Sequence, residues 1–171
     1  GFDYVKFCGG HELDMDRFAD TPLDPAFKAE DYVAKSQIFD DNGDFIDPAG
    51  KMLLKEVEGV LKQRQNWRGD QSSWVGTVAG EAIRWIEDLR DASKPFFLWL
   101  DSFDPHEPWD PPSIWENRPC PYDPEWDGPP IVQAPWSNLK GRITEREAKH
   151  IRALHAEKVT VADKWMGKVL D

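Results

Sequence analysis

The chain is short of cysteine, of positive charge and of long apolar runs. Its 171 residues include two cysteines, Cys8 and Cys120. Two cannot make a disulfide framework, and the sequence leaves open whether they are two thiols or one bridge. Lys and Arg number 21 against 32 Asp and Glu, a net charge of −11. Nucleic acid is excluded as the natural partner, because phosphate neutralisation needs clustered Lys and Arg. An anionic membrane surface is equally unfavourable. No apolar run approaches the roughly 20 residues that span a bilayer. The start carries no secretory signal peptide and no initiator Met. This leaves the compartment open, the periplasm and the exterior included. Internal repeats and low-complexity segments are absent.

The chain is otherwise 40% hydrophobic and 31% charged, ordinary for a soluble globular protein with one core. It is rich in tryptophan and proline. Five of the nine Trp lie from Trp85 to Trp126, and ten of the fourteen Pro from Pro105 to Pro135. Residues 1–72 read as a loop-rich region punctuated by Pro22, Pro25 and Pro48. Within it Phe2 to Phe7 fits a short strand, and 51–66 a helix with Leu53, Leu54, Val57, Val60 and Leu61 at helical spacing. Ser72 or Ser73 caps a second helix. Val75, Val78, Ala79, Ala82, Ile86 and Leu89 form its stripe, and it should stop before Pro95. Thr144 with Glu147 makes a capping box for a last helix. Both ends of the chain read as cut, since Gly1-Phe2-Asp3 is no natural start and Trp165 to Asp171 is still helical in pattern.

Between these helices, Phe96 to Phe103 (Phe-Phe-Leu-Trp-Leu-Asp-Ser-Phe) is almost continuously apolar. That pattern suits a strand buried on both faces of a parallel sheet, and helix followed by buried strand is half of a βαβ unit. Residues 73–103 are thus expected to be helix plus core strand, 104–141 a Pro- and Trp-rich loop at the site, and 142–171 a helix. The expected class is α/β. A single buried strand needs neighbours on both sides, and few candidates exist here. The strand's carboxyl end delivers His106, where ligands bind in open α/β sheets. Pro105, Pro108, Pro111 and Pro112 fix the backbone around it. A rigidly presented imidazole is a candidate anion ligand or proton donor, with a structural histidine as the bland alternative.

The run Pro95-Phe96-Phe97-Leu98-Trp99-Leu100-Asp101-Ser102-Phe103-Asp104-Pro105-His106-Glu107-Pro108-Trp109-Asp110-Pro111-Pro112 resembles the central segment of sulfatases, in the alkaline-phosphatase-like superfamily. Ser73 to Leu89 and Thr144 to Leu170 are similar to helices flanking that segment, and Gly1-Phe2-Asp3 to an upstream element. The resemblance implies a three-layer α/β sandwich of which this chain is an internal piece. It implies hydrolysis of a sulfate ester on a small molecule or glycan, by formylglycine and a divalent cation, expected to be Ca²⁺. It places His106 on the sulfate ester, where an imidazolium can protonate the leaving oxygen. Glu107 and Trp109 stand beside it as candidate substrate-binding residues.

Other parts of the pattern are missing. The family's nucleophile lies in Cys/Ser-x-Pro-x-Arg. Cys8 is followed by two glycines, Cys120 by proline, and Ser93-Lys94-Pro95 has Phe97 where Arg belongs. The paired Asp and the later Asp-His/Asn that ligate the cation are absent, so this piece is expected to bind no metal and to be inactive alone. Glu157-Lys158 replaces a small-then-acidic pair, and His155 a common Tyr; both read as surface variation. A phosphodiesterase or phosphonate monoester hydrolase of the same superfamily, and a non-catalytic binding module, are the alternatives.

Four further patterns favour plain readings. Asp40-Asp41-Asn42-Gly43-Asp44 lacks the glycine and glutamate of a calcium loop and reads as a solvated turn. His11-Glu12 with Asp14 and Asp16 reads as a polar loop rather than a metal cluster. His150 and His155, five apart on a helix, do not share a face. Trp109, Trp115, Trp126 and Trp136 could stack on a sugar or aryl group, but packing of a loop layer is the commoner role.

Overall fold

The computed structural model describes residues 3–9, 18, 20–134 and 140–171. Among the described residues there are four α-helices: α1 (Pro48–Arg64), α2 (Trp74–Arg84), α3 (Pro112–Trp115) and α4 (Glu145–Leu170). Each long helix starts where its side chains supply a cap. Asp47 accepts from the Gly50 amide, with Pro48 pre-set in the first turn. Ser73 Oγ accepts from the Gly76 amide at 3.1 Å. Thr144 and Glu147 form the expected capping box: Thr144 Oγ1 accepts from the Glu147 amide at 3.1 Å, and Glu147 Oε2 from the Thr144 amide at 2.7 Å. After Arg84, a π-turn over Trp85–Leu89 ends α2 well before Pro95.

Two helix surfaces make most of the core. Leu53, Val57 and Leu61 of α1 pack on Val33, Ile38 and Val132. Gly50 lets α1 approach Ile38, since a Cβ there would lie 3.0 Å from the Ile38 side chain. Val75 and Ala79 of α2 pack on Val161 and Trp165 of α4. A smaller cluster joins Ala153 and Leu154 of α4 to Cys120, with Trp109 and Ile114 against it.

The segment read as a buried strand differs. Residues 95–103 form no strand ladder, and the one β pairing among the described residues is the bridge between Phe39 and Phe45. Leu98, Leu100 and Ser102 are half-buried, whereas Phe97 and Trp99 are 71% and 72% exposed. The period is that of a strand with one side covered. No neighbouring strand lies among the described residues to cover the other. Residues 3–7 likewise form no strand, although Tyr4 stacks on Trp85 at 6.4 Å; Phe2 lies outside the described residues.

Candidate active site around His106

Asp104-Pro105-His106-Glu107-Pro108-Trp109-Asp110 leaves residue 103 as a tight loop, with cis peptide bonds before Pro105 and Pro108. The His106 amide donates to Phe103 O at 3.1 Å, and the imidazole lies against the Phe103 ring at 4.4 Å. His106 Nδ1 is 3.1 Å from Glu107 O and 3.1 Å from Glu107 Oε2. Both partners of Nδ1 are acceptors, an arrangement that favours the tautomer carrying its proton on Nδ1. The His106 side chain is 39% exposed, open enough to meet a ligand.

The loop is held from beneath by buried charge. Lys158, on α4, places its Nζ 3.1 Å from His106 O, 2.8 Å from Pro108 O, 3.0 Å from Asp110 Oδ1 and 2.6 Å from Asp104 Oδ1. Asp104 Oδ2 accepts from the Val75 amide at 3.0 Å, in the first turn of α2. Asp110 also pairs with Arg64 at the end of α1, and both side chains are fully buried. Burial pushes the Asp110 carboxyl up, but Arg64 and Lys158 outweigh it and hold it below its ordinary value. The quartet is neutral, two cations against two carboxylates, as burial of charge demands. Three helices therefore converge on the His106 loop. Beside this hub opens a small cleft lined in part by Trp67, Val75 and Trp115 with Asp104, Asp110 and Lys158.

Glu157 extends the grip. It accepts from the Ser113 amide at 3.1 Å, from Ser113 Oγ at 2.5 Å and from Arg118 at 2.8 Å. Glu157 and Lys158 are 3% and 6% exposed. This corrects the reading of the pair as surface variation. They occupy the stripe of α4 between Leu154 and Val161, and their charges face polar loops rather than solvent.

The chain is similar to an arylsulfatase. It is 30% identical to the Arylsulfatase of Clostridium perfringens (strain 13 / Type A) over 106 residues, covering 54% of this chain. The chain spans about a fifth of that relative's length, 21%. No family model matches, and no solved structure does. The likeness points to a sulfatase-related region.

Of the candidate residues, His106 and Glu107 come together, whereas Trp109 packs on the Cys120 and Leu154 cluster and its amide donates to Val132 O at 2.6 Å. Trp115 packs on Tyr32 at 6.3 Å, and Trp126 stacks on His150 at 4.3 Å; Trp136 lies outside the described residues, as do His11, Glu12, Asp14 and Asp16. His150 is buried beside Asp123, while His155 is exposed on another face of α4. Asp40 Oδ1 accepts from the amides of Asn42 and Asp44 at 2.9 and 3.0 Å, closing a turn on itself. Cys8 and Cys120 are free thiols, and burial pushes both up. Among the described residues, no three of His, Cys, Asp and Glu converge as metal ligands. The carboxylates of the hub are already neutralised by Arg64 and Lys158. Reasoning from the sequence missed Arg64, Asp104, Asp110 and Lys158. One signal was present: two charges at helical spacing within an apolar stripe.

Proposed function

We propose that this chain belongs to a hydrolase of sulfate esters, in which His106 binds the sulfate ester and protonates the departing oxygen. The observation that carries the reading is the placement of the imidazole at the end of the Phe103 loop, with Nδ1 3.1 Å from both the backbone carbonyl and the carboxylate of Glu107. That arrangement suits a ring with its proton on Nδ1 and proton transfer through Nε2.

In the overall reaction water replaces an alcohol on sulfur. The S–O bond to the alcohol breaks, and its electron pair stays on the departing oxygen. Imidazolium Nε2 gives that oxygen a proton, and the neutral ring recovers one from solvent. A formylglycine nucleophile and a divalent cation, Ca²⁺ by the resemblance, belong to the proposal as chemistry supplied by residues other than those described. The fold proposed for the whole protein is the alkaline-phosphatase-like three-layer sandwich, with residues 95–103 taken into its sheet. A sulfated small molecule or glycan is the proposed substrate, Glu107 and Trp109 lying beside His106 in sequence.

The test is a panel on the whole protein that carries these residues: 4-nitrophenyl sulfate, 4-nitrophenyl phosphate and bis(4-nitrophenyl) phosphate. Sulfate ester hydrolysis that exceeds both phosphate activities, with hydrolysis of the unactivated ester phenyl sulfate falling in His106→Ala, supports the reading. Preference for the phosphodiester, or phenyl sulfate hydrolysis unchanged by His106→Ala, overturns it.

A further inference from the structure

We propose that Lys158 is a positioning residue for His106, and that proton transfer to the leaving oxygen depends on its grip. The inference rests on the reading of His106 above and deepens it. Lys158 Nζ bonds the carbonyls of His106 and Pro108, the residues on either side of Glu107. Glu107 is the residue that holds Nδ1. The ammonium therefore fixes the backbone of the dipeptide that orients the ring. It also meets Asp104 and Asp110, which precede Pro105 and Pro111, so the loop closes around a single buried cation.

Those carboxylates are not free to follow a shifted loop. Asp104 is tied to the first turn of α2 and Asp110 to Arg64 of α1. Lys158 thus transmits the placement of three helices to a loop that has no ladder of its own. A compact ammonium with three donors suits acceptors converging from several directions, where a planar guanidinium would not. Proton donors lose their effect when displaced by about 1 Å, so relaxation of this loop should appear in the proton-transfer step before anything else.

The test compares two esters on the whole protein. Phenyl sulfate has a poor leaving group that needs protonation; 4-nitrophenyl sulfate leaves without much help. Lys158→Met, His106→Ala and the double variant are measured, with melting curves alongside. Lys158→Met is expected to lower kcat/KM for phenyl sulfate about 10–100-fold and for 4-nitrophenyl sulfate by less than about threefold. In the His106→Ala background it should change phenyl sulfate hydrolysis by less than about twofold, because the two residues act as a unit. Equal losses on both esters, additive losses in the double variant, or no loss would overturn the inference. If Lys158→Met does not fold, Lys158→Arg takes its place, and the same selective, non-additive loss is expected. Full activity or an equal loss then overturns it. If His106→Ala itself spares both esters, the reading of His106 fails and this inference with it. A selective loss in His106→Ala that Lys158→Met does not share defeats this inference alone.

Discussion

Lys158 donates to the carbonyl of His106 across 3.1 Å from a helix fifty-two residues further along the chain. The residue expected to do chemistry is thus held by one that a surface reading had set aside.

Removing that cation should be costly to the fold. Lys158→Met leaves Asp104 and Asp110 with less charge compensation and takes a buried cationic donor from the carbonyls of His106 and Pro108. Breaking a buried pair from one side costs about 3–5 kcal/mol. Urea denaturation of the whole protein measures it. A loss below about 1 kcal/mol, the range of an exposed pair, would contradict the buried hub.

The capping box at the start of α4 gives a smaller expectation. Thr144→Ala should cost about 1 kcal/mol, lowering Tm by about 2–4 °C in a domain of this size. Thr144→Ser should restore most of it. An unchanged melting curve for Thr144→Ala would argue against the cap.

Acid should destabilise the α4 surface in two stages. Burial lowers His150, with Asp123 opposing and Arg146 adding to the shift. Its folded value lies below the unfolded one of about 6.5, so the unfolded chain binds more protons in between, and stability falls as pH drops below about 6.5. Burial raises the Asp123 carboxyl, but Arg146 and Lys149 outweigh it and hold it low. Its contribution is present above about 3.9 and is lost as pH falls through the folded value. His150→Phe keeps a ring on Trp126 and should remove only the upper stage. Identical pH profiles for His150→Phe and the parent, followed by thermal melts, would contradict this.

The exposed side of residues 95–103 separates the proposed sheet from a bare loop. If the whole protein takes this segment into a sheet, amides 97–103 should exchange slowly and Trp99 emission should be shifted to the blue. Fast exchange and a solvent-like emission would sink the sandwich proposal.

What the sequence disclosed follows from the range of the forces involved. Caps and helical stripes act within a few residues, so Ser73, Thr144 and Glu147 were legible, as were Val57, Ala79 and Val161. The ends of α1 were less so: it begins at Pro48 because Asp47 caps it, three residues before the expected start at residue 51. His106 was found by its prolines and by resemblance. The pairing of Arg64 with Asp110, and of Lys158 with Asp104, joins residues more than forty positions apart. No local pattern encodes such a pairing. Only the misplaced charge in the α4 stripe hinted at it.

The most direct measurement of the central claim is the dependence of sulfate ester hydrolysis on leaving group, with and without His106. His106→Ala in the whole protein should lower kcat/KM for phenyl sulfate about 10²–10⁴-fold, the usual contribution of a general acid, and for 4-nitrophenyl sulfate much less. Equal losses on the two esters would mean that His106 gives no proton to the leaving oxygen.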